Sequence, residues 1–193
     1  MIEFLDKLDK SIFLFLNGIH SPFWDNLMYW ISGDTSWLFL YIILLIGLAI
    51  KYRWRMIFVV LAVALVITAS DQFSVHFFKE IFMRLRPCHD PEISGLVHIV
   101  NDHCGGKFGF VSSHAANTFA LAMLTSGLFK NKYFTWFIFA WATIVSYSRI
   151  YLGVHYPGDI IGGALLGIFL GWVVFLLYQY LDNKVVSRIQ FFK

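Results

Sequence analysis

The sequence predicts an all-α membrane protein, a polytopic helical bundle of about five spans preceded by N-terminal interfacial helices. Composition is the first reason: 59% of the 193 residues are hydrophobic and only 14% are charged, which is more apolar surface than a soluble domain can bury. The second reason is that the apolar residues form runs whose lengths approach the about 20 residues that a membrane-spanning helix needs. Backbone exposed to lipid must satisfy its own hydrogen bonds, so these runs are predicted to be helices.

Five apolar runs mark the predicted spans, and their short connections leave room for a single domain over residues 1–193. The runs are Trp37–Ile50, Met56–Phe78, Ala115–Phe129, Tyr133–Tyr147 and Ile160–Leu181. The first, third and fourth need flanking residues to cross a bilayer. Ahead of them, polar residues interrupt the apolar stretches of residues 1–33, which favours two interfacial helices over a sixth span.

Lys and Arg residues are divided almost evenly between the two ends of this bundle. The distribution indicates a cytoplasmic side only if Lys79, Arg86 and Arg149 belong to a ligand site. With that assignment, the long connection over residues 79–113 and the short one over residues 148–158 both face outward. A net charge of +3 without a basic run does not indicate nucleic-acid binding.

Three cationic side chains in separate segments predict a phosphate site. Lys79 and Arg86 are seven residues apart, which places them on one face of a helix that Pro87 ends. Arg149 adds a third cation, whose planar guanidinium suits phosphate oxygens. We therefore expect the phosphate site to lie on the outward side of the bundle, at these connections.

Two helix starts are predicted to face the same phosphate. One serine of the pair Ser112 and Ser113 precedes an apolar helix as an N-cap, leaving backbone N–H groups to face an anion. His155 stands just before Pro157, a residue favoured in a first helical turn. The three cations and two helix starts neutralise the charge, so neither a metal nor another cofactor is expected.

Two histidines and an aspartate supply the chemistry. Asp159, four residues after His155, can accept a hydrogen bond from the proton-bearing nitrogen of that imidazole. The other nitrogen is then left unprotonated as a nucleophile. His114 then takes the role of acid. Attack by one histidine while the other protonates the leaving oxygen divides hydrolysis into formation and breakdown of a phosphohistidine.

These segments resemble the motifs of the type 2 phosphatidic acid phosphatase family, K-x6-RP, PSGH and SR-x5-H-x3-D. Residues 79–87 match the first motif in full, and Ser148, Arg149, His155 and Asp159 match the third. Residues 111–114 are Val-Ser-Ser-His where the family has PSGH, so the serine and histidine are kept. The resemblance implies a histidine phosphatase fold shared with vanadium haloperoxidases.

The resemblance also implies roles and a substrate class. His155 is the nucleophile, Asp159 orients it and His114 is the acid and later the base, while phosphate is held by Lys79, Arg86, Ser112, Ser113 and Arg149. The expected substrate is a phosphorylated membrane lipid: phosphatidic acid, phosphatidylglycerophosphate, undecaprenyl pyrophosphate or lipid A. We expect a bacterial inner membrane with the site facing the periplasm. A non-catalytic lipid or anion carrier and a vanadate-dependent oxidase are the alternatives.

Several other residues carry predictions of their own. Cys88 and Cys104 lie in the outward connection and are predicted to form a disulfide in an oxidising compartment. Zinc held by His89, His98 and His103 is the weaker alternative, because their spacing fits no strong ligand motif.

Three further features concern the helices. Asp71 lies within the second span and either has a structural partner such as Asn117 or Ser146 or positions Lys79. Arg84 contacts either lipid headgroups or substrate. Glycines 163, 167 and 171 recur every four residues, which predicts close packing of the last span.

Overall fold

A computed structural model describes residues 2–191, and side chains over residues 3–184. All regular structure in this part is helical, as predicted, apart from one isolated bridge between Leu85 and Phe108. The helices are α1 (Ile2–Asn17), α2 (Pro22–Ser32), α3 (Leu38–Tyr52), α4 (Met56–Gln72), α5 (Glu80–Phe82), α6 (Ser113–Phe129), α7 (Lys132–Tyr151) and α8 (Pro157–Phe191). A π-helical turn, Phe73–Lys79, joins α4 to α5.

Three of the predicted apolar runs lie within α6, α7 and α8. The run Trp37–Ile50 begins one residue before α3, and the run Met56–Phe78 extends from α4 into the π-helical turn. Two helical stretches of the described residues are long and apolar enough to cross a membrane: Leu38–Phe82, which contains α3 to α5, and Pro157–Lys184. Large apolar side chains such as Ile43, Ile57 and Leu165 are exposed on the outside of the bundle. An outer surface of this kind requires apolar surroundings.

Short connections bring three helix ends together. Ser112 is the N-cap of α6, as predicted for one of the two serines, and its hydroxyl accepts from the Ala115 N–H. Only residues 130 and 131 separate α6 from α7, so the two helices run antiparallel. The first turn of α6, the last turn of α7 and the start of α8 at Pro157 therefore lie at one end of the bundle.

Close packing between α6 and α8 confirms the prediction made from the repeated glycines. A Cβ atom at Gly163 would lie 2.5 Å from the Ser112 carbonyl oxygen, and one at Gly171 would lie 2.6 Å from the Ala120 carbonyl oxygen. A Cβ at Gly167 would lie 2.9 Å from the Ala120 nitrogen. Only glycine allows the backbones to approach this closely, so these residues set the position of α8 against the start of α6.

Gly167→Ala is expected to destabilise the protein by about 1–3 kcal/mol, because the added methyl group must push α8 away from α6. Thermal unfolding of the purified protein in detergent measures the effect. Gly95→Ala is the matched control, since a Cβ there meets nothing within 4 Å. Equal unfolding midpoints for the two variants would contradict the packing argument.

The prediction that Lys79 and Arg86 share one helical face is wrong. The helix ends at Phe82, and Met83 adopts the left-handed conformation with φ 46°. Pro87 restricts the preceding residue to extended backbone, and the Arg86 N–H donates to the Lys107 carbonyl at 3.1 Å instead of to a helical partner. The two cations therefore reach the site from different backbone segments.

Candidate active site

Lys79 and Ser113 meet at the end of the bundle where the helix ends converge. The Lys79 Nζ atom donates to the Ser113 hydroxyl at 2.7 Å. The same hydroxyl lies 2.7 Å from the Ser74 Oγ atom of the π-helical turn. The first and second predicted motifs are thus joined directly, at the first turn of α6.

Arg86 is held by the outward connection. Its Nε atom donates to the Phe108 carbonyl at 3.2 Å, and its Nη1 atom donates to the Cys104 carbonyl at 3.0 Å. A Cβ at Gly105 would lie 2.9 Å from that Nη1 atom, so the loop backbone closes tightly over the guanidinium. These contacts fix the direction in which the buried Arg86 side chain points.

His155 and Asp159 form a buried pair, with 2% and 0% of their side chains exposed. The His155 Nδ1 atom lies 3.3 Å from the Asp159 Oδ2 atom, which also accepts from the Tyr156 N–H at 3.0 Å. Burial lowers the pKa of His155 well below its usual range, and the charges of Arg86, Arg149 and Lys79 act in the same direction. A neutral imidazole is the form that can attack phosphorus.

Arg84 supports this pair, which neither of the two predicted alternatives for Arg84 anticipated. Its Nη1 atom lies 3.0 Å from the Asp159 Oδ1 atom and 2.9 Å from the Asp9 Oδ2 atom, and its Nη2 atom lies 3.0 Å from the Asp6 Oδ1 atom. The guanidinium also stacks over the Tyr156 ring at 4.2 Å. Both oxygens of Asp159 are therefore held, and α1 contributes two carboxylates to the arrangement.

The end of α2 and its connection to α3 contact the other two site residues. Arg149 donates from Nη1 to the Ser32 hydroxyl. The His114 Nε2 atom lies 3.4 Å from the Asp34 Oδ1 atom. Neither Ser32 nor Asp34 could be predicted as a site residue, because the only signal for them in the sequence is a polar interruption, Gly-Asp-Thr-Ser, between two apolar runs.

The cysteine prediction is confirmed, since Cys88 and Cys104 form a disulfide with a Cα–Cα distance of 6.0 Å. The zinc alternative is not supported among the described residues, because its three histidines are not brought together. His98 instead stacks on His20 with 3.7 Å between ring centroids and lies 2.9 Å from the Asp25 carboxylate. The disulfide holds the part of the loop that binds Arg86.

The side-chain oxygen of Asn117, a predicted partner of Asp71, accepts instead from the Ser70 hydroxyl at 2.5 Å. A role of Asp71 in positioning Lys79 stays a prediction.

A cavity of about 490 Å³ opens beside the site, between α3, α4, α6 and α7. Polar groups including Asp34, Ser113 and His114 line it at one end. Apolar side chains including Leu48 and Val63 line the remainder. The site is therefore continuous with an apolar space inside the bundle.

Residues 55–183 match the family model described as the PAP2 superfamily. The chain belongs to the PAP2 superfamily. This PAP2 protein is 44% identical over 193 residues to the lipid A 4'-phosphatase of Bacteroides thetaiotaomicron, covering 98% of this chain and 84% of the relative. It is 39% identical over 184 residues to the lipid A 4'-phosphatase of Porphyromonas gingivalis, covering 95% of this chain and 78% of the relative.

The PAP2 fold is also found by comparison with solved structures. The crystal structure of a PAP2-type phosphatidylglycerolphosphate phosphatase from Bacillus subtilis superposes with a TM-score of 0.68, at 26% identity, over 94% of this chain and 87% of that one. Together these comparisons confirm the predicted family and the predicted class of enzyme, a membrane lipid phosphatase. They do not favour the non-catalytic carrier.

Proposed function

We propose that this PAP2 protein hydrolyses a phosphate ester or anhydride of a membrane lipid through a phosphohistidine on His155. The observation that carries the proposal is the buried His155–Asp159 pair at a point where three cations converge. Asp159 accepts a hydrogen bond from the His155 Nδ1–H group, which leaves the unprotonated Nε2 as the attacking atom. A binding protein would need the cations but not this pair.

Phosphate binding falls to groups from all three motifs. Lys79, Arg86 and Arg149 neutralise the phosphate oxygens, whose charge must be stabilised in the transition state. Ser112 and Ser113 stand at the start of α6, where backbone N–H groups attract an anion. No metal is required for this charge balance, since the protein supplies the cations itself.

The reaction proceeds in two displacements. His155 Nε2 attacks the phosphorus atom, the bond from phosphorus to the lipid oxygen breaks, and His114 gives its proton to that oxygen. His114 then takes a proton from water, the water oxygen attacks phosphorus, and the phosphorus–nitrogen bond breaks to release phosphate. His155 returns to its neutral form, held by Asp159.

The apolar cavity supports lateral entry of the lipid, with its tail kept in apolar surroundings while the phosphate reaches the cations. We therefore expect kcat/KM in detergent micelles to be at least about tenfold higher for dodecyl phosphate than for ethyl phosphate, because each buried methylene contributes about 0.8 kcal/mol. Equal values for the two substrates would contradict lateral entry.

Lipid A leads the four candidate substrates, because both relatives described above are named lipid A 4'-phosphatases. The proposed placement has five spans, one domain over residues 1–193 and residues 1–33 in the interface, with the site facing the periplasm from a bacterial inner membrane. The disulfide in the outward loop suits that oxidising compartment. A basic cluster at the junction of α3 and α4 suits the cytoplasmic side: Lys51 lies in the last turn of α3, and Arg53 and Arg55 lie in the turn that follows.

A phosphate-release screen tests the function. Purified protein with metal chelator is incubated with each of the four lipid classes, and we expect release from at least one, with lipid A the best substrate. His155→Ala should release none, while His103→Ala, an exposed loop histidine, should match the wild type. Release that requires added metal, or that survives in His155→Ala, would contradict the mechanism.

A further inference from the structure

Residues 32–34, at the end of α2 and the start of its connection to α3, contact two residues of the site although they lie outside the family match over residues 55–183. Arg149 donates to the Ser32 hydroxyl, and the Asp34 carboxylate lies 3.4 Å from the His114 Nε2 atom. The same short stretch of backbone therefore reaches both a phosphate-binding cation and the acid.

This segment is held in place by the ends of the helices around it. The Gly33 N–H donates to the Trp30 carbonyl at 3.0 Å, and the Trp37 indole donates to the Ile31 carbonyl at 2.8 Å. Ser32 is buried, whereas 91% of the Asp34 side chain is exposed. The carboxylate thus stands at the mouth of the site on a fixed backbone.

Charges from several elements face His114. Three of these groups are positive or can become so: Arg149 of α7, Lys79 of the π-helical turn and His155 before α8. Asp34 supplies negative charge opposite them. Asp71 of α4 lines the same cavity. The cations that bind phosphate oppose a positive charge on His114, yet an acid must carry its proton when the leaving oxygen needs it. A carboxylate beside His114 offsets that conflict.

We propose that Asp34 is a positioning residue for His114, a role that rests on the proposed phosphatase function. Its carboxylate accepts a hydrogen bond from the Nε2–H group of the charged imidazole and directs Nδ1 toward the leaving oxygen. The Nδ1 proton passes to that oxygen as the phosphorus–oxygen bond breaks. The Nε2 proton stays in place, and Asp34 remains ionised throughout.

The test compares two leaving groups. An alkoxide needs a proton as it leaves, whereas 4-nitrophenolate leaves without one, so only the alkyl substrate depends on the acid. The kcat/KM values for dodecyl phosphate and 4-nitrophenyl phosphate are measured against pH for the wild type, Asp34→Asn and Asp34→Glu. The ratio of the two values cancels any change in the attraction of the site for phosphate.

Asp34→Asn is expected to lower the dodecyl-to-nitrophenyl ratio about fivefold, because an exposed charge pair contributes up to about 1 kcal/mol. The basic limb of the dodecyl phosphate profile should move about 0.7 unit to lower pH, since His114 then loses its proton more easily. Asp34→Glu should restore both. Glu3→Gln, which removes an exposed carboxylate of α1, should change neither.

An Asp34→Asn variant with an unchanged ratio and an unmoved basic limb would overturn the proposal while leaving the phosphatase function intact. Equal losses on both substrates would also overturn it, because they indicate a structural role. If the wild type and His155→Ala were equally inactive on every lipid phosphate, the phosphatase function would fail and this proposal with it.

Discussion

His155→Ala is expected to lower kcat for lipid phosphate hydrolysis by at least about 10⁴-fold, because the variant has no atom to form the phosphoenzyme. The loss should appear without loss of folding, since an alanine in place of the buried imidazole leaves Asp159 bonded to Arg84 and to the Tyr156 N–H. Phosphate release and thermal unfolding, measured on the same preparation, separate the two effects. His103→Ala controls for loss of a histidine.

Trapping the intermediate distinguishes the two histidines. Rapid quenching with radiolabelled substrate should leave label on the wild-type protein that is stable to alkali and lost in acid, as expected for phosphohistidine. His155→Ala should carry no label. His114→Ala should hold its label longer, since no base activates the water. Label on another residue, or label retained by His155→Ala, would disprove the assignment of the nucleophile.

Local spacing explains which parts of the site could be predicted from the sequence. Asp159 follows His155 by four residues, and Ser112 directly precedes an apolar run, so their contacts are set within one helical turn. The glycines of α8 were interpretable for the same reason, because a four-residue repeat lies on one face of a helix. The residues within each motif are likewise close together in the sequence, so they could be predicted as residues of the candidate site.

Contacts between distant segments could not be predicted. Asp6 and Asp9 lie in the predicted interfacial region of residues 1–33, and nothing near them in the sequence indicates that they bind Arg84, more than seventy residues away. Asp34 lies in an unremarkable polar turn, and its proximity to His114 depends on how α2 packs against α7. The early end of the helix at Phe82 was missed because the competing partner, the backbone at residues 107–109, is supplied by tertiary structure.

Arg84→Met is expected to lower both stability and activity, because it leaves three carboxylates without their shared cation. Asp159 is fully buried and Asp9 is 15% exposed, and breaking a buried ion pair costs about 3 kcal/mol. Activity should fall about 100-fold, since Asp159 loses the contact that holds its Oδ1 atom while its Oδ2 atom faces His155. Thermal unfolding and kcat/KM for dodecyl phosphate measure the two losses. Lys7→Met, which removes an exposed cation paired with Glu3, should change neither.

Adding Asp9→Asn to Arg84→Met separates the two roles of this arginine. The double variant removes one of the uncompensated charges, so it should recover part of the lost stability. Its activity should stay low, because Asp159 still lacks the guanidinium that orients it. Recovery of activity together with stability would mean that Arg84 only holds α1 against the bundle. If the double variant recovers stability but not activity, Arg84 has two separate roles: it binds the carboxylates of α1, and it orients Asp159 toward His155.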